Sequence, residues 1–280
     1  MPIHDQGYRR YGGRREPHGR TWLVIARAGI MERLRERRFL ALLLLAWAPF
    51  VVRGVQLYLA ANVPQAASFL EATPNMFREF LDQQSVFVFF ITIYVGSGLI
   101  ANDRRANALQ IYLSKPLTRV EYVTGKLVTL AAFLVFVTWV PAILLLLLQV
   151  LFAGSFAFLR ANLFLVPAIT LFSAIVVLLS TFAMLALSSI SKNRRFVGMM
   201  YAGLIFFTAG MYQALRGMTG TRLWAWISPE DVLDVVAAVI FRGAGTPSIP
   251  MWAALLDVLV IIALSIWILE RRVRGVEVVT

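Results

Sequence analysis

Residues 101–126, A-N-D-R-R-A-N-A-L-Q-I-Y-L-S-K-P-L-T-R-V-E-Y-V-T-G-K, hold the densest group of side chains able to act on a partner. Their chemistry is recognition, not bond making. Asp103, Arg104, Arg105, Arg119 and Glu121 carry charge, Gln110 adds a polar contact, and Ala106, Leu109, Tyr112 and Leu113 form a narrow stripe at helical spacing. The closing Gly125-Lys126 is not a phosphate-binding loop. That loop needs G-x-x-x-x-G-K-[ST] so that backbone N–H groups surround the phosphates, and here position 120 is valine and Leu127 follows the lysine. Metal and nucleophilic catalysis find no support either: the chain has no cysteine, and its two histidines, His4 and His18, lie in a polar tail. Nine scattered methionines fit apolar filling better than a path for a soft metal. The expectation is a chain that is not an enzyme and binds no metal or cofactor.

Two ionisable residues, Arg53 and Asp257, stand inside apolar runs, where each costs about 2.5–3.5 kcal/mol on insertion scales. Their similar depths allow an ion pair. Snorkelling of Arg53 to headgroups and a local hydrogen bond at Asp257 are the alternatives. No series of titratable groups crosses the apolar sequence, which argues against a proton-driven carrier.

The elements that position these residues follow from composition. The chain has 280 residues, 59% of them apolar, and a mean hydropathy of +0.74, more apolar sequence than a soluble core of this size buries. An all-α integral membrane fold is expected. Apolar runs near 39–61, 85–101, 127–152, 163–190, 197–215 and 251–269 each approach the ~20 residues that cross ~30 Å of hydrocarbon. Lys and Arg gather in 1–38, 102–126, 191–196 and 271–274, whereas the intervening loops hold only Arg78, Arg160, Arg216, Arg222 and Arg242. Basic flanks stay on the cytoplasmic side, so both termini are expected there. The net charge of +12 then belongs to topology and contact with anionic lipids. A nucleic-acid surface is disfavoured, because the basic residues are split among four flanking segments.

Residues 1–20 read as a disordered basic tail, too polar to offset the cost of ordering, and no cleavable leader is evident. From Thr21 to Arg38, Trp22, Leu23, Ala26, Ile30 and Leu34 recur at helical spacing among arginines, which predicts an interfacial helix; a cytoplasmic extension of the first span is the alternative. Residues 39–280 form the six-span domain. In the charged insert, Asn102 or Asp103 can cap a helix over 103–113, and Pro116 ends it. Thr118-Arg-Val-Glu121 fits a capping box that starts a new helix running into the third span; a plain solvated loop is the competing reading. In the loop 216–250, Ser228 can cap a helix over 229–242 that Gly243 closes. That helix is too short to cross and too apolar for water, which suggests a re-entrant or interfacial element. Gly198, Ala202, Gly203 and Gly210 offer close-approach surfaces, either within the chain or toward a second copy, and Pro49, Pro141 and Pro167 can kink their spans.

The order Asp103-Arg, Ala-Leu109, Ser114-x-Pro116-Leu-Thr118-Arg and Gly125-Lys resembles the ABC-2 type permeases, the membrane subunits of ATP-binding-cassette exporters. Arg35-Glu-Arg-Arg-Phe39 before the first span, Ser228-Pro-Glu-Asp231 in the last outer loop and the Arg-rich tail agree with it. The resemblance implies a connecting helix at 21–38, a coupling helix at 103–113 that docks on a separate ATPase using ATP and Mg, a second permease copy or homologue, and residence in a cell membrane, the cytoplasmic membrane of a prokaryote. Where that family often has Glu after the second span, this chain has Asp103. Export is the expected function. An ATPase-linked anchor or mechanotransmitter, and a secondary transporter, are the alternatives.

The charge distribution makes a direct test available. Because the chain lacks cysteine, single cysteines placed in 62–84 and 216–250 should react with an impermeant reagent from outside, and those at either end only from inside. Labelling of position 220 from the cytoplasm would overturn the six-span topology.

Overall fold

A backbone inside hydrocarbon has no water to bond, so its N–H and C=O groups must be satisfied within helices. The computed structural model describes residues 21–63, 73–108, 118–243 and 248–273, and these fold as helices and connecting turns, with no strand among the described residues. The tail 1–20 and the positions Leu109, Gln110, Tyr112, Leu113 and Pro116 lie outside the described residues. Six helices are long and apolar enough to cross a bilayer: Arg37–Asn62, Pro74–Arg105, Arg119–Ala153, Leu165–Ile190, Arg194–Thr219 and Met251–Arg272. The second and third begin earlier than hydropathy suggests. Their first turns carry Asn75, Arg78, Glu79 and Asp82, or Arg119, Glu121 and Lys126, which mask an otherwise continuous helical pattern.

The fourth span is the centre of the bundle and touches the second, third, fifth and sixth. Ser173, Ser180, Thr181, Ser188 and Ser189 are all buried along it, recurring at seven- and eight-residue spacing. Small polar side chains on one face let neighbouring backbones approach and supply donors and acceptors where those backbones are irregular.

Three spans are irregular, and a side chain bonds to the backbone at each irregularity. The first breaks at Ala46–Trp47 ahead of Pro49, and the buried Gln84 amide donates to the Ala46 carbonyl at 3.1 Å. The third breaks at Thr138, three residues before Pro141, and the Thr138 hydroxyl donates to the Leu134 carbonyl at 2.7 Å. Pro167 lies in the first turn of the fourth span, where its missing N–H costs no helical bond, and no kink follows. The second span departs most. It winds into a π turn at Thr92–Gly96, opens over Ser97–Ile100 and resumes at Ala101. The fully buried Ser188 Oγ accepts from the N–H groups of Ile100 and Ala101, both at 3.1 Å, and donates to the Ser97 carbonyl at 3.0 Å. Gly96 has to be glycine in this packing, because a Cβ there would collide with Met184 of the fourth span.

Thr21–Leu34 packs along the start of the third span. The approach is very close: a Cβ at Gly125 would stand 2.7 Å from Ile25 Cβ and 2.9 Å from the Trp22 carbonyl oxygen, and one at Gly29 would stand 2.9 Å from Thr129 Oγ1. The third span has 35 residues, about 52 Å of helix against ~30 Å of hydrocarbon. That is more helix than an upright crossing needs, and Thr21–Leu34 rests on its first turns.

The predicted cap at Ser228 is present. Ser228 Oγ accepts from the Asp231 N–H at 3.4 Å, and the helix runs Pro229–Ile240. Its end differs in detail. Gly243 N–H bonds to Ala238 O at 2.8 Å and Arg242 N–H to Val239 O at 3.2 Å, the paired bonds of a Schellman turn, but the left-handed residue is Arg242 with φ 52°. Its guanidinium sits 4.3 Å from the Phe164 ring centroid, a cation–π contact that offsets part of the left-handed cost. Gly203 and Gly210 meet no neighbour within 4 Å of where a Cβ would be, so among the described residues the fifth-span glycines pack inward only at Gly198, against Ile93 at 3.2 Å.

Ser188→Ala would leave two buried N–H groups without an acceptor. The expected loss is about 1–3 kcal/mol, visible as a lower unfolding temperature in detergent, whereas Ser191→Ala, beyond the end of the fourth span, should leave stability unchanged.

Candidate functional site

The charged residues after the second span do not form one helix over 103–113. Helical geometry stops at Arg105, Ala106 caps it, and Asn107 takes a left-handed φ of 53°, which asparagine tolerates better than most residues. Asp103, Arg104 and Arg105 are thus the last turn of the second span. Neither Asn102 nor Asp103 caps a helix, since helical structure already begins at Ala101. The chain turns helical again at Ala108, at the edge of the described residues.

Asp103 faces the third span instead. Its Oδ2 lies 2.7 Å from Lys126 Nζ and accepts a hydrogen bond from the Tyr122 hydroxyl, also at 2.7 Å. Tyr122 and Lys126 are one turn apart on the helix that Thr118 starts, so their side chains share a face. That start has the predicted geometry. Thr118 Oγ1 accepts from the Glu121 N–H at 3.2 Å and Glu121 Oε2 accepts from the Thr118 N–H at 3.0 Å, a complete capping box with Arg119 as first helical residue. Arg104 points the other way. It donates to the carbonyl of Ser189, next to last in the fourth span, where an unpaired carbonyl and the negative end of the helix dipole both favour a cation. One short turn therefore grips the third span through Asp103 and the fourth through Arg104. Arg105 and Ala106 remain exposed.

A second polar group joins Thr21–Leu34 to the same end of the bundle. Glu36, between that helix and the first span, accepts from Arg33 Nη1 at 2.5 Å and from the Tyr94 hydroxyl at 2.8 Å. Arg194, at the start of the fifth span, donates to the Tyr94 carbonyl at 2.5 Å and to Ser97 Oγ at 3.3 Å. Tyr94 also stacks on Phe39, with ring centroids 5.5 Å apart. The irregular part of the second span is thereby tied to the first and fifth spans as well.

The structure places Asp103 and Arg104 at the end of the second span and Thr118 and Glu121 at the start of the third, and it adds Tyr122, Lys126, Ser188, Glu36, Tyr94 and Arg194, which the sequence reading did not single out. A signal existed for two of them: Tyr122 and Lys126 follow the Thr118 cap at i, i+4 spacing opposite a lone acid. The pairing of Arg53 with Asp257 does not occur. Arg53 Nη2 bonds to Glu79 Oε2 at 3.1 Å and its Nη1 to Gln56 Oε1 at 3.3 Å, because the first span packs beside the second. The sixth span, which carries Asp257, packs on the fourth span and on Pro229–Ile240, and Asp257 Oδ2 has no hydrogen-bond partner among the described residues.

Six apolar helices long enough to cross, four of them packed on a central fourth and joined at a basic end, define a multi-pass membrane protein. The chain belongs to the ABC-2 family: the model for the ABC-2 family transporter protein matches residues 23–272, from the helix Thr21–Leu34 to the end of the sixth span. It is a membrane permease of an ABC transporter, and membership implies an ABC ATPase as partner. No curated protein matches the sequence.

The Asp103 contacts can be weighed by a double-mutant cycle. Asp103→Asn and Lys126→Met should each lower stability, and the double variant should lose less than their sum, with a coupling of about 0.5–3 kcal/mol read from denaturation in detergent. Strict additivity would show that the ion pair contributes nothing.

Proposed function

We propose that this permease exports a substrate across the membrane by alternating access, driven by a separate ATPase that acts on the segment following Asp103. The observation that carries the reading is the double grip of the last turn of the second span, with Asp103 on Lys126 and Tyr122 of the third span and Arg104 on the Ser189 carbonyl of the fourth. A displacement of the turn at Asp103 and Arg104 reaches the second, third and fourth spans directly through these bonds. The capping box at Thr118 starts a stiff helix, so a push applied there becomes a rotation of the third span's first turns.

In this reading the apolar stripe of Leu109, Tyr112 and Leu113 docks in a groove of the ATPase, Gln110, Arg105 and Arg119 contribute its polar rim, and Pro116 sets the angle between the docked piece and the third span. The end carrying Asp103 is cytoplasmic, in keeping with the basic flanks. The chain itself performs no hydrolysis; ATP and Mg belong to the partner. A second copy or a homologue completes the path, with lipid around the remaining apolar faces.

Two variants separate docking from transmission. Leu109→Asp would press a carboxylate into an apolar groove and should strip the ATPase from membranes. Thr118→Ala should keep the ATPase bound but reduce transport per ATP hydrolysed, because the cap it removes is worth about 0.5–2 kcal/mol. If Leu109→Asp membranes retained the ATPase in full and transported at the normal rate, the docking assignment would be wrong. Assembly without transport by the unaltered chain in liposomes would instead identify a mechanical anchor.

A further inference from the structure

At the opposite end of the bundle from Asp103 a cavity of about 200 Å³ opens between the first half of the second span, the fourth span and the helix Pro229–Ile240. That volume suits a small organic group, below the ~300–1,000 Å³ of sites enclosing drug-sized ligands. Its wall is divided by chemistry. Asp82, Glu230 and Asp234 bring three carboxylates, while Phe172 and Val176 provide an apolar side. Deeper in, Ser173 lines the cavity with a side chain only 2% exposed, and its Oγ has no hydrogen-bond partner among the described residues. A buried hydroxyl left unpaired costs free energy that a ligand can recover.

The protein's own cation does not balance this charge. Arg78 forms an ion pair with Asp82, Nε to Oδ2 at 3.8 Å, too long for a hydrogen bond, so one guanidinium faces three carboxylates. A metal ion fits poorly, since no group of three acidic or histidine side chains among the described residues is close enough to chelate one. The carboxylates share the wall with apolar side chains and the hydroxyls of Ser85, Thr138 and Ser173. That arrangement matches a ligand with a positive charge and a short hydrocarbon part.

We propose that this cavity binds a small organic cation, an ammonium group bearing an apolar tail, with its charge among Asp82, Glu230 and Asp234, a donor on Ser173 Oγ and its tail against Phe172 and Val176. The proposal rests on the permease reading for its meaning, as an outward-facing substrate subsite, but its chemistry stands on the cavity alone. Such an ammonium has two sources, a free amine or the headgroup of an aminophospholipid.

The test uses the full-length permease purified in detergent without an ATPase, titrated with n-butylammonium chloride and followed by isothermal titration calorimetry. Butan-1-ol and sodium chloride serve as neutral and inorganic controls. Saturable binding is expected for butylammonium, with either control weaker by about tenfold or more, and Asp234→Asn should weaken it by roughly tenfold because a charged hydrogen bond is lost. Ser173→Ala should weaken it by a smaller factor, Glu230→Gln provides a second carboxylate variant, and Glu79→Gln, which removes the Arg53 partner outside the cavity, should leave it unchanged. Butylammonium bound no better than sodium, or bound equally by the Asp234, Glu230 and Ser173 variants, would overturn the proposal. In nanodiscs, loss of butylammonium binding when phosphatidylethanolamine replaces phosphatidylglycerol would identify the lipid headgroup as occupant; undiminished binding would identify a free amine, and both support the site. Because no ATPase is present, a negative result leaves the permease reading intact, and a permease that fails to transport leaves this result intact.

Discussion

Ser188 meets the constraint on which the rest of this molecule depends, that a backbone broken inside a membrane must find its hydrogen bonds in a neighbouring helix. The second span could not leave helical geometry between Thr92 and Ile100 unless something accepted from Ile100 and Ala101 and donated to Ser97, and one hydroxyl on the fourth span does all three. With that junction sealed, the chain resumes at Ala101 in an orientation that delivers Asp103 to the third span and Arg104 to the end of the fourth. The same solution recurs at smaller scale where Gln84 serves Ala46. Ser188 and Gln84 are thus fittings for irregular backbone, which is a different role from lining a path.

Much of the architecture was legible from local pattern. Six apolar runs, the capping box at Thr118 and the cap at Ser228 are each set by residues within a few positions of one another, so propensity and spacing suffice to place them. The misreadings are all of longer range. Arg53 and Asp257 share a depth, and depth can be read from hydropathy, but which helix lies beside which cannot; Glu79 is the neighbour because the first and second spans are adjacent. Asp103 looked like a helix cap because an acid next to a polar run usually is one. Its true partner, Lys126, became visible only when the third span's register against the second was known. The π turn at Thr92–Gly96 left no pattern that distinguishes it from ordinary apolar helix.

The two ends of the bundle differ in character. At the Asp103 end, opposite charges meet in pairs and the buried and half-buried long side chains are bound: Arg33 to Glu36, Arg194 to the Tyr94 carbonyl, Lys126 to Asp103. Paired groups of this kind hold helices in fixed relative positions. At the other end, three carboxylates share one guanidinium around an open cavity, and surplus charge of one sign invites something from solution or lipid. The fourth span touches both regions, through Ser188 and Ser189 at one end and Phe172, Ser173 and Val176 at the other. The second and third spans also reach both, through Asp82 and Asp103 and through Thr138 and Lys126, but each is interrupted on the way, whereas Leu165–Ile190 is one continuous helix.

The close docking of Thr21–Leu34 on the third span also bears on how the protein is made. Gly29 and Thr129, which touch through that contact, are about a hundred residues apart in the chain. At ~5–20 residues per second of synthesis, the helix leaves the ribosome roughly 5–20 s before its partner exists. During that interval its apolar residues, among them Trp22, Ile25 and Ile30, have only the bilayer surface or a chaperone to rest on. The contact therefore forms late: Thr21–Leu34 is seated only after two spans have been threaded and the third has emerged. The glycine at 125 keeps that late-arriving seat open.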